Sequence, residues 1–76
     1  MYKEIFPSRI KKARTDAGYT QQQVSDETEI PRTNITKYEN GTLEPTLESL
    51  GILAQFYNVS TDWLLGISLQ HDKKGA

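Results

Sequence analysis

The sequence predicts an all-α fold, a compact bundle of five short helices. Three observations predict it. Ser and Thr recur where they can cap helix starts, apolar residues recur at helical period, and Gly, Asn and Pro punctuate the intervals. With 76 residues there is one domain to build, and a chain of this size buries only about 60% of the surface it exposes when unfolded. That domain is placed at residues 1–66, and residues 67–76 form a polar tail or the start of a linker.

The first helix is expected over Pro7 to Ala17. Proline suits a first-turn position because its missing N–H has no partner there anyway, and Gly18 suits the residue just past a helix end. Phe6, Ile10, Ala13 and Ala17 form one stripe toward the core. Arg9, Lys11 and Lys12 lie mostly off that stripe. The second helix opens at Thr20, because Gln23 three residues on completes a capping box. Val24 and Thr28 supply its inner face, and Ser25 is small enough for close contact with a neighbouring helix.

Thr28-Glu29-Ile30-Pro31 interrupts the pattern. Pro31 disfavours helical geometry at Ile30 and can itself begin a helix. The third helix is then expected from Arg32 to Glu39, closed by Asn40-Gly41, residue types that tolerate a left-handed backbone. Only Ile35 and Tyr38 point inward, which leaves a polar face with no intramolecular use. The fourth helix is expected from Thr46 to Asn58, with Leu47, Leu50, Leu53, Ala54 and Tyr57 on its apolar face and Phe56 beside it. Gly51 in its interior suggests close packing. Ser60 caps a short fifth helix through Trp63, Leu64 and Leu65, stopped by Gly66.

Composition narrows the function classes. Hydrophobic residues make up 36% and aromatic residues 9%, enough for one core without a large ligand cavity beside it, so neither a cofactor nor a small-molecule site is expected. The chain has no cysteine, hence no disulfide and no thiolate metal site. A reducing, cytoplasmic compartment fits. No secretory leader is legible from Met1-Tyr2-Lys3-Glu4 onward, and the apolar runs are too short to span a bilayer, so no membrane role is expected. Net charge is −1 and the pI about 5.7, which argues against strong non-specific attraction to phosphate. The distribution is uneven, however. Residues 1–37 hold seven basic against five acidic side chains, and residues 38–76 hold two against five.

Two short helices joined by a tight break, the second polar on its outer face, make a helix-turn-helix. The major groove of B-DNA admits one helix, and the preceding helix must hold it there. Helical geometry gathers Arg32, Thr33, Thr36 and Lys37 on one side of the third helix, with Asn34 at its edge. Ile35 and Tyr38 take the opposite side. These five polar residues are the candidate base readers. Arg32 leads, since arginine reads guanine O6 and N7 with two hydrogen bonds. Phosphate contacts are expected from helix ends and long basic side chains: Gln21, Asn40, Arg9 and Lys12.

Several runs in this order and spacing carry a family resemblance: Arg9-Ile10-Lys11-Lys12-Ala13-Arg14, Tyr19-Thr20-Gln21-Gln22-Gln23-Val24-Ser25, Pro31 through Gly41, Glu44-Pro45-Thr46-Leu47, and Asn58 through Gly66. The chain resembles the Cro and lambda-repressor-type helix-turn-helix regulators, the xenobiotic response element family. The resemblance implies a lambda-repressor-like domain that binds double-stranded operator DNA, usually as a homodimer on a roughly palindromic site. It implies that Gln21 touches phosphate and supports Arg32. It implies a partly buried ion pair between Arg14 and Glu39. Three positions depart from the family pattern: Glu29 stands where glycine is common at the break, Ser25 where alanine is common, and Pro31 where a Ser or Thr cap is common. A non-glycine residue in a left-handed turn is strained, so Glu29 must avoid that conformation or bear the strain.

The function expected is a sequence-specific transcriptional regulator, a repressor. The alternative is an antitoxin-like or anti-regulator module that uses the same fold to grip a protein. Trp63, Leu64, Leu65 and Ile67, followed by Leu69, are expected to close the core and to form a dimer seam. An enzyme is not expected. The single histidine, His71, stands near Asp72 in the polar tail, and no metal-ligand spacing, phosphate-cradling loop or nucleophile motif accompanies it.

Overall fold

The structure is a computed structural model and describes residues 2–69. Five helices follow in order: α1 (Tyr2–Ala17), α2 (Gln21–Thr28), α3 (Arg32–Asn40), α4 (Leu47–Tyr57) and α5 (Thr61–Leu64). The expected His71 and its polar neighbours lie outside the described residues.

Local chemistry sets most of the boundaries. Thr20 Oγ1 accepts from the Gln23 N–H at 3.1 Å, and Gln23 Oε1 accepts from the Thr20 N–H at 2.8 Å. This reciprocal cap satisfies two donors that the helix start would orphan. The Thr46 and Ser60 hydroxyls cap α4 and α5, accepting from Ser49 and Trp63 N–H groups at 3.1 and 3.0 Å. Asn58 closes α4 in the left-handed region, at φ 59°.

The first helix begins earlier than the sequence suggested. Pro7 sits inside α1, not at its start. Burial explains the extension: the added turn places Phe6 in the core, and Ile5 is half-buried. Ile5 packs onto Gly66, where any Cβ would lie 2.6 Å from the Ile5 Cδ1 atom. Gly66 also has φ +83°, so both space and backbone demand glycine there.

The core is shared by all five helices. Phe6, Ile10 and Ala13 come from α1, Val24 from α2, Ile35 and Tyr38 from α3, and Leu53, Ala54 and Tyr57 from α4. Ile30, Val59, Trp63 and Leu64 complete it, with Val24 and Leu64 fully excluded from solvent. The α3 helix packs against α1 and α2, so it is clamped from behind by both.

Three packing expectations fail. Leu47 is 88% exposed. It is the first residue of α4, and a side chain at that point has no preceding turn of its own helix to lie over. Ala17 is exposed at the last turn of α1. Gly51 lies on the outside of α4 with no atom within 4 Å of a built Cβ, so it does not mark close packing.

Candidate nucleic-acid interface

The break between α2 and α3 is assembled from two hydroxyls and one strained residue. Glu29 adopts the left-handed conformation, φ 64° and ψ 12°, and its N–H donates to the Ser25 carbonyl at 2.9 Å. Ser25 Oγ donates to the Ile30 carbonyl at 2.7 Å, while Thr28 Oγ1 donates to the Val24 carbonyl at 2.7 Å. The Thr28 hydroxyl also accepts from the Ile30 N–H at 3.3 Å. Ile30 is buried, 6% exposed, and anchors the turn in the core. Serine in place of alanine thus satisfies a turn carbonyl. Pro31 enters α3 without a side-chain cap.

The α3 helix divides by face. Ile35 and Tyr38 are 2% and 3% exposed, whereas Arg32, Thr33 and Lys37 are exposed. Asn34, Thr36 and Glu39 are half-buried along the edges. Among the described residues no hydrogen bond ties the Arg32 side chain to the protein. Gly41, at φ +84°, ends the helix by donating to the Lys37 carbonyl. Asn40 Oδ1 accepts from the Thr42 N–H at 3.1 Å and the Thr42 hydroxyl at 2.6 Å. Its carbonyl oxygen therefore stiffens the exit turn, and only its Nδ2 group can serve an outside acceptor.

Behind the exposed face lies a chain of charge-assisted hydrogen bonds. Arg14 Nε donates to Glu39 Oε2 at 2.7 Å, and Arg14 Nη2 donates to Glu39 Oε1 at 3.0 Å. The side chains are 12% and 4% exposed. Arg14 Nη1 also donates to the Tyr19 carbonyl at 2.9 Å. The bond to Glu39 raises the Arg14 pKa above its ordinary value. Gln21 Nε2 donates to the same Glu39 Oε1 at 3.0 Å, and Thr36 Oγ1 donates to Gln21 Oε1 at 2.8 Å. Gln21 thus reaches Glu39 and Thr36, not Arg32. The buried Tyr57 hydroxyl has no hydrogen-bond partner among the described residues. Burial, and then the Glu39 charge, push its pKa up.

Other expected contacts are placed differently. Arg9 Nη1 donates to the Trp63 carbonyl at 2.6 Å, and its guanidinium lies 4.7 Å from the Trp63 ring centroid. Arginine at that distance over indole is held by cation–π attraction as well. Arg9 therefore fastens α1 to the end of α5 and is not placed to hold phosphate. Lys12 pairs with Asp16 at 3.2 Å on an exposed surface, a contact of little energetic weight. Trp63 and Leu64 are 4% and 0% exposed, so they belong to the core and offer nothing to a second copy. Leu65 is half-buried, and Ile67 is 57% exposed.

Sequence reasoning gives Tyr19 no role beyond its place in the Tyr19–Ser25 run. It packs against Phe56 with ring centroids 4.9 Å apart and planes tilted by 40°, and its carbonyl holds Arg14. An aromatic between Gly18 and a cap is the signal that could have found it. A surface trough of about 910 Å³ runs between the start of α1 and the Gly41–Pro45 loop, past Tyr2, Phe6, Leu43 and Leu50. It is open to solvent. No helix among the described residues is long and apolar enough to cross a membrane.

The model of the helix-turn-helix family matches residues 10–64. The chain belongs to the helix-turn-helix family. The matched span runs from the middle of α1 to the end of α5 and contains the whole constellation above. The chain is 43% identical over 58 residues to the HTH-type transcriptional regulator ImmR of Bacillus subtilis (strain 168), covering 76% of this chain and 46% of that one. It is 45% identical over 69 residues to the SPbeta prophage-derived HTH-type transcriptional regulator YonR of the same organism, covering 90% of this chain and 64% of that one. The chain therefore spans less than two thirds of either relative. Among solved structures, the SOS-response transcriptional repressor LexA from Eubacterium rectale superposes with a TM-score of 0.77 at 19% identity, over 99% of this chain and 74% of that one. That likeness concerns the fold. This helix-turn-helix domain is of the kind carried by transcriptional regulators.

Proposed function

We propose that this domain serves a sequence-specific transcriptional regulator, a repressor, which lays α3 into the major groove of operator DNA. The observation that carries the reading is the division of α3. Ile35 and Tyr38 lock it into the core, while Arg32, Thr33 and Lys37 stand in solvent. A nine-residue helix so divided, clamped from behind by α1 and α2, suits a groove that accepts one helix.

Arg32, at the first turn, reads guanine, with Thr33 and Lys37 beside it and Asn34 at the edge. Phosphates are held by Lys12, by the Nδ2 group of Asn40 and by the remaining Nε2 hydrogen of Gln21. The uncapped backbone donors at the start of α3 also point where phosphate oxygens can use them. With a net charge of −1, non-specific affinity is weak, so operator binding depends on base contacts and on pairing two domains. Ile67 and Leu69, 57% and 89% exposed, supply apolar surface for a homodimer next to α5. A protein with this task works in the cytoplasm, where it can reach DNA.

Selection of bound duplexes from a random pool tests the reading. The expected result is an enriched two-fold symmetric site with half-sites about one helical turn apart. Absence of enrichment at low salt contradicts it. Sedimentation of the protein with the selected duplex tests the dimer, and a single copy per site removes that part.

A further inference from the structure

We infer that Thr36 is a positioning residue that aims the Gln21 side chain at phosphate, and that it does not read a base. The inference rests on the DNA-binding reading above and follows from the polarity of one hydrogen-bond chain. Ionised Glu39 has oxygens that only accept. The Gln21 group 3.0 Å from Glu39 Oε1 must therefore be the NH₂, which turns the Gln21 amide oxygen toward Thr36. The Thr36 hydroxyl, 2.8 Å away, has to donate to it.

Glu39 is itself fixed by the two-pronged Arg14 bond, and Arg14 by the Tyr19 carbonyl. The chain of command runs from the core outward, through Arg14 and Glu39 to Gln21, and Thr36 closes it from the other helix. The single Thr36 donor is thus used at the α2–α3 seam, where the residue is half-buried. Arg32, Thr33 and Lys37 differ in this respect, since they are exposed. Gln21 keeps one Nε2 hydrogen, at the first residue of α2. A phosphate oxygen is the acceptor on DNA that such a group meets at a helix start.

Two substitutions separate positioning from reading. Thr36→Val keeps the shape and removes the hydroxyl, whereas Thr36→Ser keeps the hydroxyl and removes the methyl. Affinity, salt dependence and selected sequence are measured for both, for Gln21→Leu, and for the Thr36→Val and Gln21→Leu double variant. Thr36→Val should bind every duplex roughly three- to tenfold more weakly, with an unchanged preferred sequence. Its log–log salt slope should be shallower by about 0.9, one phosphate contact. Thr36→Ser should match the wild type, and Thr36→Val should add no further loss to Gln21→Leu. A changed base preference in either Thr36 variant, or losses that add, overturns the inference. The salt slopes are also read on mixed-sequence duplex at low salt. A wild type that selects no sequence but shows this pattern there overturns the operator reading and leaves Thr36 as assigned. A wild type that binds no duplex overturns both.

Discussion

Arg14 meets Glu39 side-on, with contacts of 2.7 and 3.0 Å, and so ties the first helix of the fold to the last turn of the exposed one. The pair is nearly buried, 12% and 4% exposed. A pair of that kind is weak as a source of net stability, but losing one partner leaves the other charge stranded. Glu39→Gln should therefore cost about 3 kcal/mol in denaturant unfolding, the low end for a buried pair. Arg14→Lys, which keeps charge but loses the fork, should also destabilise. Because the pair is shielded, raising salt should leave these losses unchanged. Losses that vanish at high salt would show that the pair is solvated.

Glu29 holds φ 64° at the break. An L-residue there carries strain of about 1–2 kcal/mol, and glycine carries none but loses more entropy on folding. Glu29→Gly should therefore stabilise the domain by about 0.5–1 kcal/mol, read as a higher melting temperature. A lower melting temperature would mean that the Glu29 side chain makes a compensating contact.

Tyr57 places in the core a hydroxyl with no hydrogen-bond partner among the described residues, and its pKa is raised above 10.0, first by burial and then by Glu39. A raised folded-state pKa gives stability that is complete below the unfolded value and is lost as pH climbs toward the folded one. Above pH 10 the unfolded chain ionises Tyr57 and the folded chain does not. Stability should then fall by up to about 1.4 kcal/mol per pH unit from this group. Tyr57→Phe should remove that part of the slope and be neutral or stabilising at pH 7. Urea titrations at pH 7 and above pH 10 check both; a clear loss at pH 7 would mean the hydroxyl has a partner.

Arg9 links α1 to the Trp63 carbonyl and ring. Arg9→Ala should lower stability by about 1–2 kcal/mol, since a charged hydrogen bond and a cation–π contact go together. The salt slope of DNA binding should not change. A slope shallower by about one contact would return Arg9 to the phosphate set.

The caps at Thr20 and Ser60 and the stop at Gly41 are legible in the sequence because each is decided within a few residues. The two faces of α3 were legible for the same reason. What sequence could not show depends on packing. Pro7 reads as a helix start until Ile5 and Phe6 find Gly66 and the core. Leu47 reads as core by period, yet the first residue of α4 has nothing to lie against. Arg9 reads as a surface cation, and Trp63, 54 residues away, captures it. The bond between Gln21 and Thr36 spans fifteen residues and two helices, so no local rule predicts it. Trp63 and Leu64 are expected in both core and dimer seam, and the closed fold buries them in the core alone.

Arg32 is the side chain on which the functional account depends most. The most direct measurement is the affinity of wild type and Arg32→Ala for the selected duplex and for duplexes altered one base pair at a time. Arg32→Ala should lose about 1–3 kcal/mol on the selected duplex, with preference relaxed at one base pair per half-site. An equal loss on every duplex, or no loss at all, would contradict the claim that α3 reads sequence through Arg32.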